Sequence, residues 1–319
     1  MKKLLLVVFS VSLLIVFGIS ANSFAEYPDK PITYTISFNP GGESDITARL
    51  QEPHLEKILG VPVNVTHKPG GGGGVAWSAF QRSAKPTGYE IIGVNIPHII
   101  GQPRIRKDAG YKTFGFEFIT WFHFTPNALI VRNDSPFKTL KDFIDFAKKN
   151  PKVITVGGSG TYSANHLGAI QLEKAAGIKL TYIPHKGTGP LKPAILGGHL
   201  TALMNYTMLP VELKGKVRVL AVAAEKRAPA LPDSPTFREQ GYDIIGGAFR
   251  GVAAPKGTPK AIVKKLTDAF VKVNNIIKAR QEPMGFVLTN YTGDEAVALV
   301  KQMENGLSSI LNEIAAKKK

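Results

Sequence analysis

The sequence predicts an α/β chain of two domains. Three observations carry this expectation. Short strand-like runs alternate with helical stretches from Ile32 onward, and glycine-rich turns recur where a strand passes into a helix. The third is length: about 290 residues follow an apolar leader, enough for two domains of ordinary size.

The leader comes first. Met1-Lys2-Lys3 is a short positive head, Leu4 to Ile19 is almost unbroken apolar sequence, and Ser23-Phe24-Ala25 offers small residues where a signal peptidase reads. The run is shorter than the roughly 20 apolar residues a membrane span needs. A cleaved secretory signal over residues 1–25 is therefore expected, with the mature chain starting near Glu26. The chain has no cysteine, which excludes disulfides, thiolate metal sites, a cysteine nucleophile and a lipid-anchored cysteine. A freely diffusing protein in an enclosed periplasm is the expectation.

Along the mature chain, Ile32 to Phe38 alternates like a strand and Gly41-Gly42 breaks it. Asp45 to Leu59 has helical spacing, with Gly60 placed as a stop. Val61 to Val65 reads as a strand before the glycine run Gly70 to Gly74 and another helical stretch. Pro86-Thr87-Gly88 is a turn before the strand Tyr89 to Val94. Leu129 to Arg132 is a short strand, Thr139 to Lys149 a helix, and Val153 to Val156 a strand leading through glycines into a helix that ends at Ala176. A mainly parallel sheet in two blocks, near 26–127 and 128–250, with a helix-rich tail, is the resulting picture.

The formal charge of +16 admits anionic ligands or nucleic acid. The lysines are scattered, however, often in pairs on helix-like faces such as Lys148-Lys149 and Lys264-Lys265. A nucleic-acid binder shows a basic stripe interleaved with aromatics. The pattern here is a solvated surface that steers anions, and no nucleic-acid partner is expected.

Three glycine turns could carry chemistry. Phe38-Asn39-Pro40-Gly41-Gly42-Glu43-Ser44-Asp45 joins a strand to a helix, where free N–H groups and the helix dipole favour a carboxylate. Ser44 and Asp45 either touch a ligand there or simply cap the helix. Gly157-Gly158-Ser159-Gly160-Thr161-Tyr162-Ser163 is a second such junction. It matches neither a dinucleotide fingerprint, nor a P-loop, nor a nucleophile elbow. Gly187-Thr188-Gly189-Pro190 is the third. Anion-ready turns in successive blocks suggest a ligand clamped between domains. Gly70 to Gly74 supplies either a further backbone contact or only a flexible turn. The seven histidines show no paired metal-ligand spacing, and His166 and His185 stand out only by following the second and third turns. No nucleophile with a base in reach can be assigned.

The ordered succession of these turns resembles the periplasmic solute receptors of tripartite tricarboxylate transporters, the Bug proteins. The resemblance runs through Tyr27-Pro28-Asp29-Lys30-Pro31-Ile32, Pro40-Gly41-Gly42 with Asp45, Lys68-Pro69-Gly70-Gly71-Gly72 and Gly88-Tyr89. It continues through Ser135-Pro136-Phe137-Lys138-Thr139-Leu140, Gly160-Thr161 with His166-Leu167, Lys186-Gly187 and Leu196-Gly197-Gly198-His199. Leu220-Ala221-Val222, Leu231-Pro232-Asp233-Ser234-Pro235-Thr236 and Ala254-Pro255-Lys256-Gly257-Thr258-Pro259 complete it.

The resemblance implies a type II periplasmic-binding fold, two α/β lobes with a ligand cleft between them. It places residues 26–127 and 251–319 in one lobe and 128–250 in the other. It implies a monomeric receptor without catalytic residues, metal or cofactor. The solute would be a small organic acid (a di- or tricarboxylate, an acidic amino acid or an aromatic acid), delivered to permease subunits. Carried over, the ligand-binding positions are Phe38, Pro40, Gly41, Gly42, Ser44 and Asp45 from one lobe, and Ser159, Thr161, Gly187, Thr188 and Asn205 from the other. An exported α/β hydrolase is the rival reading. Glu43 departs from the family, whose members commonly carry a small residue there. Surface glutamates near helix starts are common, so Glu43 is expected to turn outward; if it points inward, a ligand carrying an amine suits it better.

Overall fold

The computed structural model describes residues 27–106 and 108–316, so the expected leader lies outside the described residues. The first arm opens with β1 (Ile32–Ile36), whose Ile32, Tyr34 and Ile36 alternate into the core. It passes to α1 (Glu43–Leu59), which ends on Gly60 in the left-handed conformation at φ 74°, with the Gly60 N–H on the Glu56 carbonyl. β2 (Val63–His67), α2 (Gly74–Ser83), β3 (Glu90–Ile96) and α3 (His98–Ile105) follow.

β4 (Phe116–Arg132) then runs through the whole molecule. Its first part pairs with β9 (Gly247–Pro255), and from Asn127 it pairs with β7 (Ala202–Tyr206) and from Ala128 with β8 (Val217–Val222). The second arm contains α4 (Leu140–Lys149), β5 (Thr155–Gly158), α5 (Ala164–Ala176), β6 (Thr181–Pro184), α6 (Leu191–Leu196), and α7 (Met208–Glu212) beyond β7. The chain closes with α8 (Lys260–Gln281), β10 (Val287–Thr292) and α9 (Gly293–Ala316) after β9.

The curled sheet has the order β2-β1-β3-β9-β4-β7-β5-β6, with β8 and β10 also on β4. It is mixed rather than mainly parallel. β1–β2, β1–β3, β5–β6 and β5–β7 are parallel, whereas every pairing of β4 and β9 is antiparallel. Sequence periodicity located only the last four residues of β4. Phe116–Asn127 is buried on both faces and rich in aromatics, so it lacks the alternation that marks a half-exposed strand.

Helices cover both faces of each arm. α1 and α8 pack Leu55, Leu266, Phe270 and Ile277 against Tyr34 and Ile91. α2, α3 and α9 pack Trp77, Ile99 and Val300 against Val94 and Trp121 on the opposite face. The second arm is built on Phe137, Phe143, Leu172, Met204 and Phe237. α9 also reaches the second arm, where Glu313 pairs with Lys174 of α5 at 3.2 Å.

Candidate ligand cleft

The turn after β1 enters α1 through Gly42, and no side chain caps this helix. Its first-turn N–H groups and the positive end of its dipole are thereby left facing the space between the arms. The third glycine turn descends on it from the second arm. The Asn39 N–H donates to the Lys186 carbonyl at 2.9 Å, and the Thr188 hydroxyl donates to Glu43 Oε2 at 2.7 Å. A Cβ on Gly189 would stand 2.1 Å from the Pro40 carbonyl oxygen, and one on Gly160 would stand 2.7 Å from Gly72 Cα. The arms therefore interlock through bare backbone, which only glycine permits at these points. The cavity between the arms is about 10 Å³, room for a single water molecule. A cavity of this size does not hold a solute of several carbons.

Of the residues singled out in the sequence, Phe38, Gly42, Ser44, Asp45, Ser159, Gly187 and Thr188 line this cavity. Pro40 and Gly41 stand on its rim against Gly189. Thr161 packs its backbone on Gly72 instead of reaching the cavity. Asn205 lies behind Thr188, its Oδ1 accepting from the Tyr206 N–H at 2.7 Å and lying 3.3 Å from the Thr188 hydroxyl oxygen, whose proton goes to Glu43. Asp45 spends its carboxylate within its own arm. One oxygen accepts from the Gly41 N–H at 2.8 Å, and the other lies 2.7 Å from His67 Nε2. His166 and His185 serve structure: His166 Nδ1 accepts from the Tyr162 N–H and its ring stacks on Tyr182, while His185 Nδ1 meets the Ile183 carbonyl.

The outward orientation expected for Glu43 is wrong. Glu43 is 2% exposed and faces the cavity, because a buried cation awaits it. Arg250 Nη2 lies 3.6 Å from Glu43 Oε2, and its guanidinium sits over the Tyr206 ring at 4.4 Å. Arg250 Nη1 also donates to Thr125 Oγ1. Asn39, Asn95, His98, Tyr206 and Arg250 also line the cavity, beyond the positions that the resemblance implies. Asn39 and Glu43 lie within a turn already singled out. Asn95 and His98 occupy another strand-to-helix junction, between β3 and α3, that carries no glycine to flag it. Nothing in the sequence distinguishes Arg250, which reaches the cleft from β9.

A buried row of polar groups leads away from the cavity. Asn165 Nδ2 donates to Asn127 Oδ1 at 3.1 Å, and the Ser159 hydroxyl donates to Asn165 Oδ1 at 2.6 Å. Tyr206 OH lies 3.3 Å from Ser159 Oγ and 3.4 Å from His98 Nε2. With the serine proton given to Asn165, one assignment puts a proton in every contact: Tyr206 donates to Ser159, and His98 Nε2–H donates to Tyr206. His98 Nδ1 is then an acceptor, and it is buried with no partner.

Burial, reinforced by the nearby Arg250 charge, pushes His98 down to about 3. Its folded-state value lies below the unfolded one, so the unfolded chain takes up the proton first. Stability therefore falls as pH drops from about 6.5 towards 3. Urea titrations between pH 6.5 and 4 should show His98→Gln losing less stability over this range, by close to one proton taken up on unfolding. Parallel curves for the variant and the parent would refute this.

The profile described as tripartite tricarboxylate transporter family receptor matches residues 47–301. The chain belongs to that family. A "UPF0065 protein in gbd 5'region" of Cupriavidus necator is 34% identical over 267 residues, covering 83% of this chain and 81% of the relative. Among solved structures, the periplasmic binding protein BugD is 30% identical with a TM-score of 0.84, over 90% of this chain and 98% of its own. MatC of Rhodopseudomonas palustris, solved with bound malate, is 25% identical with a TM-score of 0.81, over 91% and 100% of the two chains. The tripartite tricarboxylate transporter receptors are two-lobed solute-binding proteins, not enzymes, and this chain has their fold. Among its described residues no helix is long and apolar enough to cross a membrane.

Proposed function

We propose that this receptor captures a small organic carboxylate in the periplasm and delivers it to the permease subunits of a tripartite tricarboxylate-type transporter. One observation carries the reading: the uncapped start of α1 opens into a cavity whose opposite wall is the Gly187–Thr188 turn. A carboxylate placed there would accept from first-turn N–H groups and meet the positive end of the helix, while the second arm closes over it. Malate in MatC supports a carboxylate of this size. The reading includes export by the cleaved leader over residues 1–25 and a monomeric mature protein. It also includes lobes divided as 26–127 with 251–319 against 128–250. The passage of β4 from β9 to β7 near Asn127 supports that division.

A thermal-shift screen of di- and tricarboxylates, amino acids and aromatic acids tests the reading, with hits confirmed by calorimetry. At least one acid should raise the melting temperature and bind with a Kd in the micromolar range or tighter. A panel in which no acid shifts the transition would overturn it.

A further inference from the structure

The walls of the cleft hold charges and acceptors that a bare carboxylate does not satisfy. Glu43 Oε2 receives the Thr188 hydroxyl and faces Arg250, but Glu43 Oε1 is buried with no hydrogen-bond partner. His98 Nδ1, on the adjoining wall, is in the same condition, and its imidazole is held neutral by burial beside Arg250. Buried acceptors left without donors are costly, a carboxylate oxygen most of all. The Glu43 charge is offset by Arg250, so the pair contributes no net charge to the cavity wall. A plain dicarboxylate would set a further anionic group near Glu43 and give it nothing to accept.

We infer that Glu43 is a specificity-determining residue, selecting acids that carry an N–H or O–H donor beside the carboxylate: amino or hydroxy acids rather than plain dicarboxylates. This rests on the carboxylate reading above and adds a second requirement to it. The carboxylate takes the start of α1. The donor on the neighbouring carbon gives its proton to Glu43 Oε1, with His98 Nδ1 as a second acceptor in the same wall. Glu43→Gln keeps the side-chain shape and an acceptor for Thr188 while removing the charge.

Succinate, malate and aspartate differ only in the hydrogen, hydroxyl or ammonium on one carbon, so calorimetry on this series isolates the donor. The wild-type protein should bind malate or aspartate at least 10-fold more tightly than succinate, the value of one hydrogen bond to a charged group being about 10- to 100-fold. A larger gain for aspartate identifies an ammonium, and a larger gain for malate identifies a hydroxyl. In Glu43→Gln the advantage should shrink to a few-fold, with succinate unchanged or improved. Equal binding of all three acids by the wild type overturns the inference and leaves the carboxylate reading standing. Binding of none, with no other acid bound, overturns both. The wild-type series decides the question even if the variant fails to fold.

Discussion

Replacing Gly189 by alanine is expected to weaken solute binding by about 5- to 150-fold while leaving the melting temperature of the unliganded protein nearly unchanged. The added Cβ would fall 2.1 Å from the Pro40 carbonyl oxygen on the opposite arm, well inside ordinary van der Waals contact. Overpacking of this kind costs about 1–3 kcal/mol, and that cost is exacted only when the arms meet. Alanine suits the backbone at residue 189, which lies outside the left-handed region, so each arm should fold as before. Binding energy would instead be spent holding apart two loops that normally touch. Calorimetry reads the affinity, and small-angle scattering with saturating solute should give a less compact particle than wild type. Wild-type affinity in this variant would show that the arms need not interlock for capture.

Arg250→Met should lower the melting temperature by on the order of 10 °C. The arginine is 2% exposed and its partner Glu43 is equally buried, so the substitution leaves an uncompensated carboxylate inside the protein. Breaking such a pair costs about 3–5 kcal/mol, and each kcal/mol moves the transition by about 2–4 °C in a chain of this scale. The double variant Glu43→Gln with Arg250→Met removes both charges and should recover most of the loss. Contact between the two side chains makes that coupling the quantity of interest. A single variant melting within a degree or two of wild type, or a double variant no better than the single, would rule out the buried pair as the cause.

Much of the fold could be read from residues because the first arm obeys simple rules. Ile32, Tyr34 and Ile36 alternate and Gly60 stops a helix, and in the second arm Thr139 with Asp142 forms a capping box at the start of α4. The long strand β4 escaped because its first twelve residues, 116–127, are buried on both faces. The cleft divides along the same line. Turns at strand-to-helix junctions announce themselves by glycine, and of the eleven positions that the family resemblance implies, seven line the cavity. Glu43 was placed on the wrong side of its helix because its partner lies 207 positions away in sequence. A buried charge is legible only together with the group that neutralises it, and Arg250 sits in a strand with no motif. His98 was visible as a histidine but belongs to no metal spacing. Its role depends on Tyr206 and Ser159, which tertiary structure alone brings to it.

The buried row from His98 to Asn127 has a polarity. Every donor in it points away from the cavity and towards the place where β4 changes neighbours. Aligned hydrogen bonds of this kind polarise one another. A solute proton shared with His98 Nδ1 would draw electron density from the ring, make Nε2–H a stronger donor to Tyr206, and tighten each following bond in turn. The last bond ends on Asn127, whose own N–H holds the Gly246 carbonyl at 2.8 Å, one residue before β9 begins. The chemistry of the captured molecule, and not only its bulk, would then be felt where β4 changes neighbours. On the capture reading proposed above, two solutes that fill the cleft equally well would differ in how long the arms stay together.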